Sequence, residues 1–234
     1  MGSNNSSSNQ ASLFKRSLVE LIGTLFFVFA GAGSAIGAAM SLQLFSNLFI
    51  AAFANGLALA LAVTVTMNIS GGHINPAVTI GALVTRRIKL IDAISYIVAQ
   101  LIGAALAGAF LFALTPKKVA ESVHYGAPSL DSSISIYQGI FLETILTFFL
   151  VYVIFATAID KRAPKVAGFA IGLTVTANVF IGGPLTGAVM NPARAFGPEL
   201  AAMFFKDWYV YWIGPILGAI IASLMYNYLI LETK

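Results

Sequence analysis

The sequence has no cysteine and few charged residues. Of its 234 residues, only 9% are Asp, Glu, Lys or Arg, whereas soluble domains carry about 25%. The absence of cysteine excludes disulfide bonds and leaves the redox compartment undetermined. The scarcity of charge excludes an ordinary soluble domain, because 59% of the residues are hydrophobic and the mean hydropathy is +0.89. This composition predicts an integral membrane protein.

Side chains that build active sites are also scarce. There are only two histidines, and neither a Ser/His/Asp arrangement nor a set of metal ligands accompanies them. We therefore expect no enzyme activity, no bound metal and no cofactor. The net charge of +4 comes from basic residues at the ends of apolar segments, which is typical of membrane topology and not of nucleic-acid binding.

Six apolar runs are long enough, at about 20 residues each, to cross a bilayer. They cover roughly 13–40, 44–67, 90–114, 137–159, 166–181 and 208–231. An even number of spans places both termini on one side of the membrane. That side carries most of the basic residues, so we expect it to be cytoplasmic; they are Lys15, Arg16, Arg86, Arg87, Lys89, Lys161, Arg162 and Lys165. The polar start of the chain, 1–11, is predicted to be a disordered tail.

The two halves of the chain repeat each other. "FANGLALALAVTVTMNISGGHINPAVT" begins at Phe53 and "FAIGLTVTANVFIGGPLTGAVMNPARA" begins at Phe169, an offset of 116 residues. Each half, about 12–115 and 135–231, holds three spans, so the second copy must be inverted relative to the first. Inverted repeats place a functional site near the bilayer midplane, often at broken helices.

Each half contains the motif Asn-Pro-Ala. Asn is a strong N-cap and Pro is favoured at the first helical position, so each motif predicts a helix start. From Asn75 to Arg86 is twelve residues, or about 18 Å of helix, which is about half a bilayer. Two such half-helices would meet at the midplane through the motif residues Asn75, Pro76, Ala77, Asn191, Pro192 and Ala193.

This arrangement predicts a pore. The amide NH₂ of each motif Asn is expected to be free to donate at its centre. The Gly-rich stretches "NISGGH" and "IGGPLTG" are expected to be non-helical and to turn their carbonyls towards water. Glu20 and Glu143, which are equivalent in the two halves, are expected to hold these loops, with proton carriage as the alternative. His73 is expected to be a packed loop residue, with a pH gate as the alternative.

With these motifs the chain resembles the aquaporin (major intrinsic protein) family over essentially everything after the tail. "NISGGHINPAVT", "NPARAFGP" and "YWIGPILGA" are especially similar to tonoplast-type and prokaryotic aquaporins. The resemblance implies an all-α membrane fold of six transmembrane helices and two re-entrant half-helices. It implies a single channel domain over 12–231, a homotetramer with one pore per protomer, and conduction of water or small neutral solutes.

The resemblance also implies a selectivity filter at four positions, which are Asn55, Val179, Ala188 and Arg194. Water channels of the family usually have Phe at the first position and His at the second, and this chain departs from both. We therefore expect a permissive filter that passes water together with small neutral solutes. Hydrogen peroxide and ammonia come first, and glycerol and urea are further candidates.

Several alternatives stay open at this point. One is a glycerol or small-polyol facilitator with water as a secondary substrate, although Ala195 stands where that subgroup usually has Asp. A coupled secondary transporter, which also uses broken helices, and a non-conducting junction protein are more remote. The cell membrane is the expected location and the vacuolar membrane the alternative. His124, in the 116–136 loop, is expected to be exposed, and contact with the filter is the alternative.

Overall fold

The computed structural model describes residues 11–41 and 46–231. The predicted tail therefore lies, apart from Ala11, outside the described residues, and so does the start of the second apolar run. In this part of the chain every regular element is helical. The helices are α1 (Leu13–Met40), α2 (Asn47–Ser70), α3 (Pro76–Val84), α4 (Leu90–Leu114), α5 (Lys117–Ser122), α6 (Ile136–Ile154), α7 (Ala167–Thr186), α8 (Pro192–Ala202) and α9 (Val210–Met225).

Six of these helices are long and apolar enough to cross a membrane: α1, α2, α4, α6, α7 and α9. Two of them are extended by a π-helical turn, α6 by Phe155–Ile159 and α9 by Tyr226–Ile230. The prediction of six membrane helices is confirmed, and the protein is an integral membrane protein. The short helices α3 and α8 are the predicted half-helices.

The two Gly-rich stretches are less irregular than predicted. α2 continues to Ser70 and α7 continues to Thr186, so all of "NIS" and "IGGPLT" is helical. The helices end where Gly71 and Gly187 take left-handed backbone angles, with φ of 96° and 85°. Because glycine alone adopts this conformation without a steric penalty, it fixes the helix end. The non-helical loops are therefore only five residues each.

The first half-helix is also shorter than predicted. α3 ends at Val84 and has nine residues rather than twelve, or about 14 Å of helix. The chain turns away because Arg86 has a φ of 57°. The N–H of Arg87 then donates back to the carbonyl of Ala82 at 2.8 Å, which satisfies a carbonyl at the helix end.

The membrane helices pack closely around the two half-helices. α1 lies between α2 and α4, α2 packs on α7, and α6 packs on α9. α2 and α7 cross at Gly56 and Gly172, where a Cβ on Gly56 would lie only 2.6 Å from the Gly172 carbonyl oxygen. These two glycines are equivalent in the repeat, so the crossing lies between matching parts of the two halves. α3 packs against α9, and α8 packs against α4.

Candidate functional site

Two five-residue loops, Gly71–Asn75 and Gly187–Asn191, connect the membrane helices to the half-helices. Ile74 and Met190 hold the same place in the two loops and both have left-handed backbone angles, with φ of 55° and 54°. For a residue other than glycine this conformation costs roughly 1–2 kcal/mol. Each loop must therefore be held by contacts with its surroundings.

Glu20 of α1 holds the first loop. Its fully buried carboxylate accepts four hydrogen bonds. One oxygen accepts from Ser70 Oγ at 2.6 Å and from the His73 N–H at 2.9 Å. The other accepts from the Ile74 N–H at 2.6 Å and from Gln100 Nε2 at 2.9 Å. Since every partner donates, the carboxylate fixes two consecutive N–H groups of the loop.

Glu143 of α6 holds the second loop in the same way. One of its oxygens accepts from Thr186 Oγ1 at 2.7 Å and from the Val189 N–H at 2.9 Å. The other accepts from the Met190 N–H at 2.7 Å. The two carboxylates thus make matching contacts in the two halves of the chain.

Three residues of this network were missed by sequence reasoning: Ser70, Thr186 and Gln100. The hydroxyls of Ser70 and Thr186 each donate to the carboxylate and accept from the N–H two residues further on, at 3.1 Å in both loops. These two residues are 116 positions apart, so the repeat offset was a signal that could have found the pair. Gln100 contacts only the first loop, and the repeat gives no such signal for it.

Both motif Asn residues cap their half-helices as predicted. Asn75 Oδ1 accepts from the Ala77 N–H at 2.8 Å, and Asn191 Oδ1 accepts from the Ala193 N–H at 3.0 Å. Pro76 and Pro192 occupy the first helical positions. All six motif residues are buried.

The amide NH₂ groups of the two Asn residues are not wholly free, contrary to the prediction. Asn75 Nδ2 donates to the Met190 carbonyl at 2.8 Å, and Asn191 Nδ2 donates to the Ile74 carbonyl at 2.9 Å. The left-handed backbone turns these buried carbonyls towards the opposite half, and a buried carbonyl needs a donor. Each NH₂ has two hydrogens, so one N–H per Asn remains for a ligand.

A row of carbonyl groups precedes each Asn. Within the described residues no N–H or O–H group donates to the carbonyls of Gly71, Gly72 and His73, or to those of Gly187, Ala188 and Val189. Unpaired carbonyls at membrane depth are tolerated where they face a water-filled cavity. The site therefore offers acceptors in both loops and donors where the loops meet.

The hydrogen bonds of Thr79 determine the tautomer of His73. The Thr79 hydroxyl donates to the Asn75 carbonyl at 2.9 Å and accepts from Gln100 Nε2 at 3.1 Å. Its single proton is thus used, so His73 Nδ1, at 3.1 Å, must donate to it. The ring also packs edge-on against Tyr96. His73 is thus a packed loop residue, and it lines the cavity described below.

The four predicted filter residues are all buried, and the structure joins two of them. Arg194 Nε donates to Asn55 Oδ1 at 3.4 Å, a long bond. Asn55 Nδ2 donates to the carbonyls of Ala51, at 2.9 Å, and Gly31, at 3.3 Å. Val179 is part of α7 and lies beside Gly183 of the same helix, and Ala188 of the second loop lies beside Gly182. Arg194 thus has Asn55 as a polar partner, whereas Val179 and Ala188 contribute apolar side chains to the predicted filter.

The loop between α4 and α6 supplies a contact that the sequence did not reveal. The Gly126 carbonyl accepts from Arg194 Nη1 at 2.9 Å. His124, in the same loop, is exposed as expected, and its ring stacks on Phe204 at 4.1 Å. The loop therefore reaches Arg194 through its backbone. A backbone carbonyl carries no residue-specific signal, so sequence reasoning could not find it.

A cavity of about 810 Å³ extends from the first loop to the end of α3. His73 and Asn75 line its inner part, and Arg86, Arg87 and Lys89 line its outer part. We call these three basic residues the basic mouth. The cavity connects the motif Asn of the first half with the outside of the protein.

The sequence and the fold are similar to those of known proteins. The sequence model of the family described as Major intrinsic protein matches residues 7–226. The chain is 43% identical to probable aquaporin TIP3-2 of Arabidopsis thaliana, over 94% of this chain and 85% of that protein. It is 42% identical to aquaporin TIP1-2 of Musa acuminata, over 91% and 85%. The X-ray structure of the aquaglyceroporin from Plasmodium falciparum matches with a TM-score of 0.84 and 25% identity, over 94% of this chain and 97% of that one.

Proposed function

Since the chain belongs to the major intrinsic protein family and is an aquaporin-family channel, we propose that it is a passive water channel with a permissive filter. The observation that carries the proposal is the reciprocal pairing of Asn75 with the Met190 carbonyl and of Asn191 with the Ile74 carbonyl. This pairing leaves one donor on each Asn between two rows of unpaired carbonyls.

The proposed mechanism follows from these donors and acceptors. A water molecule at the centre accepts from the free N–H groups of Asn75 and Asn191, so it cannot accept from neighbouring waters. A proton wire through the pore is thereby interrupted. The N-termini of α3 and α8 add positive potential at the same point, which repels cations. The carbonyls on either side accept from passing waters and replace the hydrogen bonds of bulk water.

The proposed filter consists of Asn55, Val179, Ala188 and Arg194. Arg194 supplies donors to solute oxygens and repels cations, while the Val and Ala side chains leave an apolar wall and room. This chemistry supports passage of hydrogen peroxide and ammonia beside water. The structural likeness to an aquaglyceroporin supports the second candidate, a facilitator of glycerol or small polyols. Neutral Asn side chains at the centre give no support to a coupled transporter.

Proteoliposomes test this proposal. We expect fast osmotic water flow with a low activation energy, no proton or ion current, and measurable hydrogen peroxide or ammonia permeability. The double change Val179→His with Asn55→Phe should suppress the solute and retain much of the water flow. Equal loss of both fluxes in folded protein would exclude these positions from the filter. If the wild type passes water alone, then the permissive filter is wrong.

We further propose a homotetramer with both termini cytoplasmic. The family supports four protomers, each with its own pore, and the mass of the solubilised particle measures this directly. The basic residues near the chain start, after α3 and after α6 support the orientation. The TIP-type relatives and the resemblance to tonoplast-type aquaporins support the vacuolar membrane. They give no support to the cell membrane that the sequence led us to expect.

A further inference from the structure

The cavity that leads to Asn75 carries an excess of positive charge. Its lining includes Arg16, Arg86, Arg87 and Lys89 but only one acidic residue, Asp92, so four positive charges and one negative charge give a net +3. Asp92 forms an ion pair with Arg16 at 3.1 Å. Among the described residues no carboxylate lies within ion-pair distance of the three residues of the basic mouth.

One cation of the basic mouth, Arg87, contacts two other side chains. The guanidinium of Arg87 donates to Asn227 Oδ1 at 2.6 Å and lies over the ring of Phe155, 5.5 Å from its centre. Partial burial lowers the pKa of Arg87 because no counter-charge offsets the loss of water around it. All three residues of the basic mouth are exposed. The mouth therefore combines one guanidinium that contacts Asn227 and Phe155 with two further exposed cations.

The N-terminus of α4 lies at the same place. Lys89 is its N-cap residue, and no side chain of the described chain caps the first turn. Asp92, the acidic residue of that turn, is used by Arg16. The first N–H groups of a 25-residue helix are thus left beside three cations. Free helical N–H groups together with Arg and Lys side chains are the groups that bind phosphate in proteins.

We propose that the basic mouth binds a phosphate group, either of a soluble phosphate or of a phosphorylated lipid headgroup, and that bound phosphate restricts flow through the cavity. Its ligands are the Arg86 and Arg87 guanidinium groups, the Lys89 ammonium and the N–H groups at the start of α4. Bound phosphate would lie in the path between Asn75 and the outside. The binding site is independent of the proposed channel function, and only the effect on flow rests on it.

Binding is measured first, without any flux. Inorganic phosphate is titrated into the full-length solubilised protein and followed by calorimetry and by ³¹P NMR line width. The test variant is Arg86→Gln with Lys89→Gln, because Arg87 has structural contacts. The matched control is Lys117→Gln with Lys118→Gln, which removes the same charge at the other end of α4. We expect phosphate affinity to fall at least about tenfold in the test variant, to stay unchanged in the control, and to persist in Arg86→Lys.

Flow is measured second, and its two arms identify the source of the phosphate. One arm adds inorganic phosphate to phosphatidylcholine vesicles, and the other adds phosphatidylinositol 4-phosphate to the vesicle lipid. Reduced water flow in either arm that is lost in the Arg86 and Lys89 variant supports the proposal and names the ligand source. No phosphate binding in the titration together with unchanged water flow in both arms, or equal effects on the test and control variants, overturns it. Binding without reduced flow refutes the restriction of flow. A wild type that conducts no water without phosphate refutes the channel proposal. In that case the titration still tests whether the basic mouth binds phosphate.

Discussion

Adding one methyl group to α1 should narrow the proposed filter. In Gly31→Ala the new Cβ would lie 3.0 Å from Asn55 Cγ and closer still to its Oδ1. Carbon atoms in contact are about 3.5–4.0 Å apart, so the Asn55 side chain must move by about 0.5–1 Å. It then gives up its 3.3 Å bond to the Gly31 carbonyl. We expect it to move away from α1, towards Arg194 and the filter.

The change has two separate effects. Overpacking costs about 1–3 kcal/mol of folding stability, and about 0.5–1 kcal/mol is regained because Ala favours the helix over Gly. The displaced Asn55 side chain also narrows the filter, and a barrier to passage raised by about 1.4 kcal/mol slows it about tenfold. We therefore expect hydrogen peroxide permeability to fall about tenfold, and water permeability to fall less because water is smaller.

Gly37→Ala is the matched control on the same helix. A Cβ at Gly37 would meet no neighbouring heavy atom of the described residues within 4 Å, so this change should leave both permeabilities intact. Stopped-flow measurements on proteoliposomes of equal protein content compare the two variants. If Gly31→Ala and Gly37→Ala give the same hydrogen peroxide permeability, then Asn55 does not border the constriction.

Two further predictions concern stability. Glu143→Gln should lower the thermal unfolding midpoint of the solubilised protein. An amide NH₂ would then face the Met190 N–H and leave it unpaired, at a cost of about 1–3 kcal/mol. An unchanged midpoint would contradict the contact between Glu143 and the Met190 N–H. Arg162 holds the pKa of Asp160 well below its usual range, so the ionised carboxylate stabilises the fold above about pH 4, and this stabilisation is lost as the pH falls further. The midpoint difference between wild type and Asp160→Asn should therefore be full near neutral pH and shrink below about pH 4, and a difference independent of pH would count against the ion pair.

Local chemistry explains what the sequence could predict. The six membrane helices follow from apolar length, and the starts of α3 and α8 follow from the capping preference of Asn and the first-turn preference of Pro. Both signals lie within a few residues of the element they predict. The predicted ends of α2 and α7 are too early, because a glycine-rich sequence favours an irregular backbone. In the structure the helices continue through these stretches and end at Gly71 and Gly187, which have left-handed backbone angles.

The contacts that the sequence did not predict are long-range. Asn75 reaches a carbonyl 115 residues away, and Arg194 reaches the Gly126 carbonyl, 68 residues away. A backbone carbonyl belongs to every residue, so no residue type marks these acceptors. The prediction of free NH₂ groups considers the Asn side chain alone. In the structure one N–H of each Asn donates to a carbonyl of the opposite loop, because that buried carbonyl needs a donor.

The reciprocal bonds of the two Asn residues impose an order on the folding of the protein during its synthesis. When the ribosome has made the first three membrane helices, the Ile74 carbonyl still has no donor, because Asn191 lies 117 residues further along the chain. The first re-entrant loop therefore lacks this hydrogen bond until the second loop has been synthesised and inserted from the opposite side of the membrane. Neither half contains the Asn that donates to its own loop carbonyl. A chain truncated between the two halves can therefore form this hydrogen bond only with the second half of another molecule.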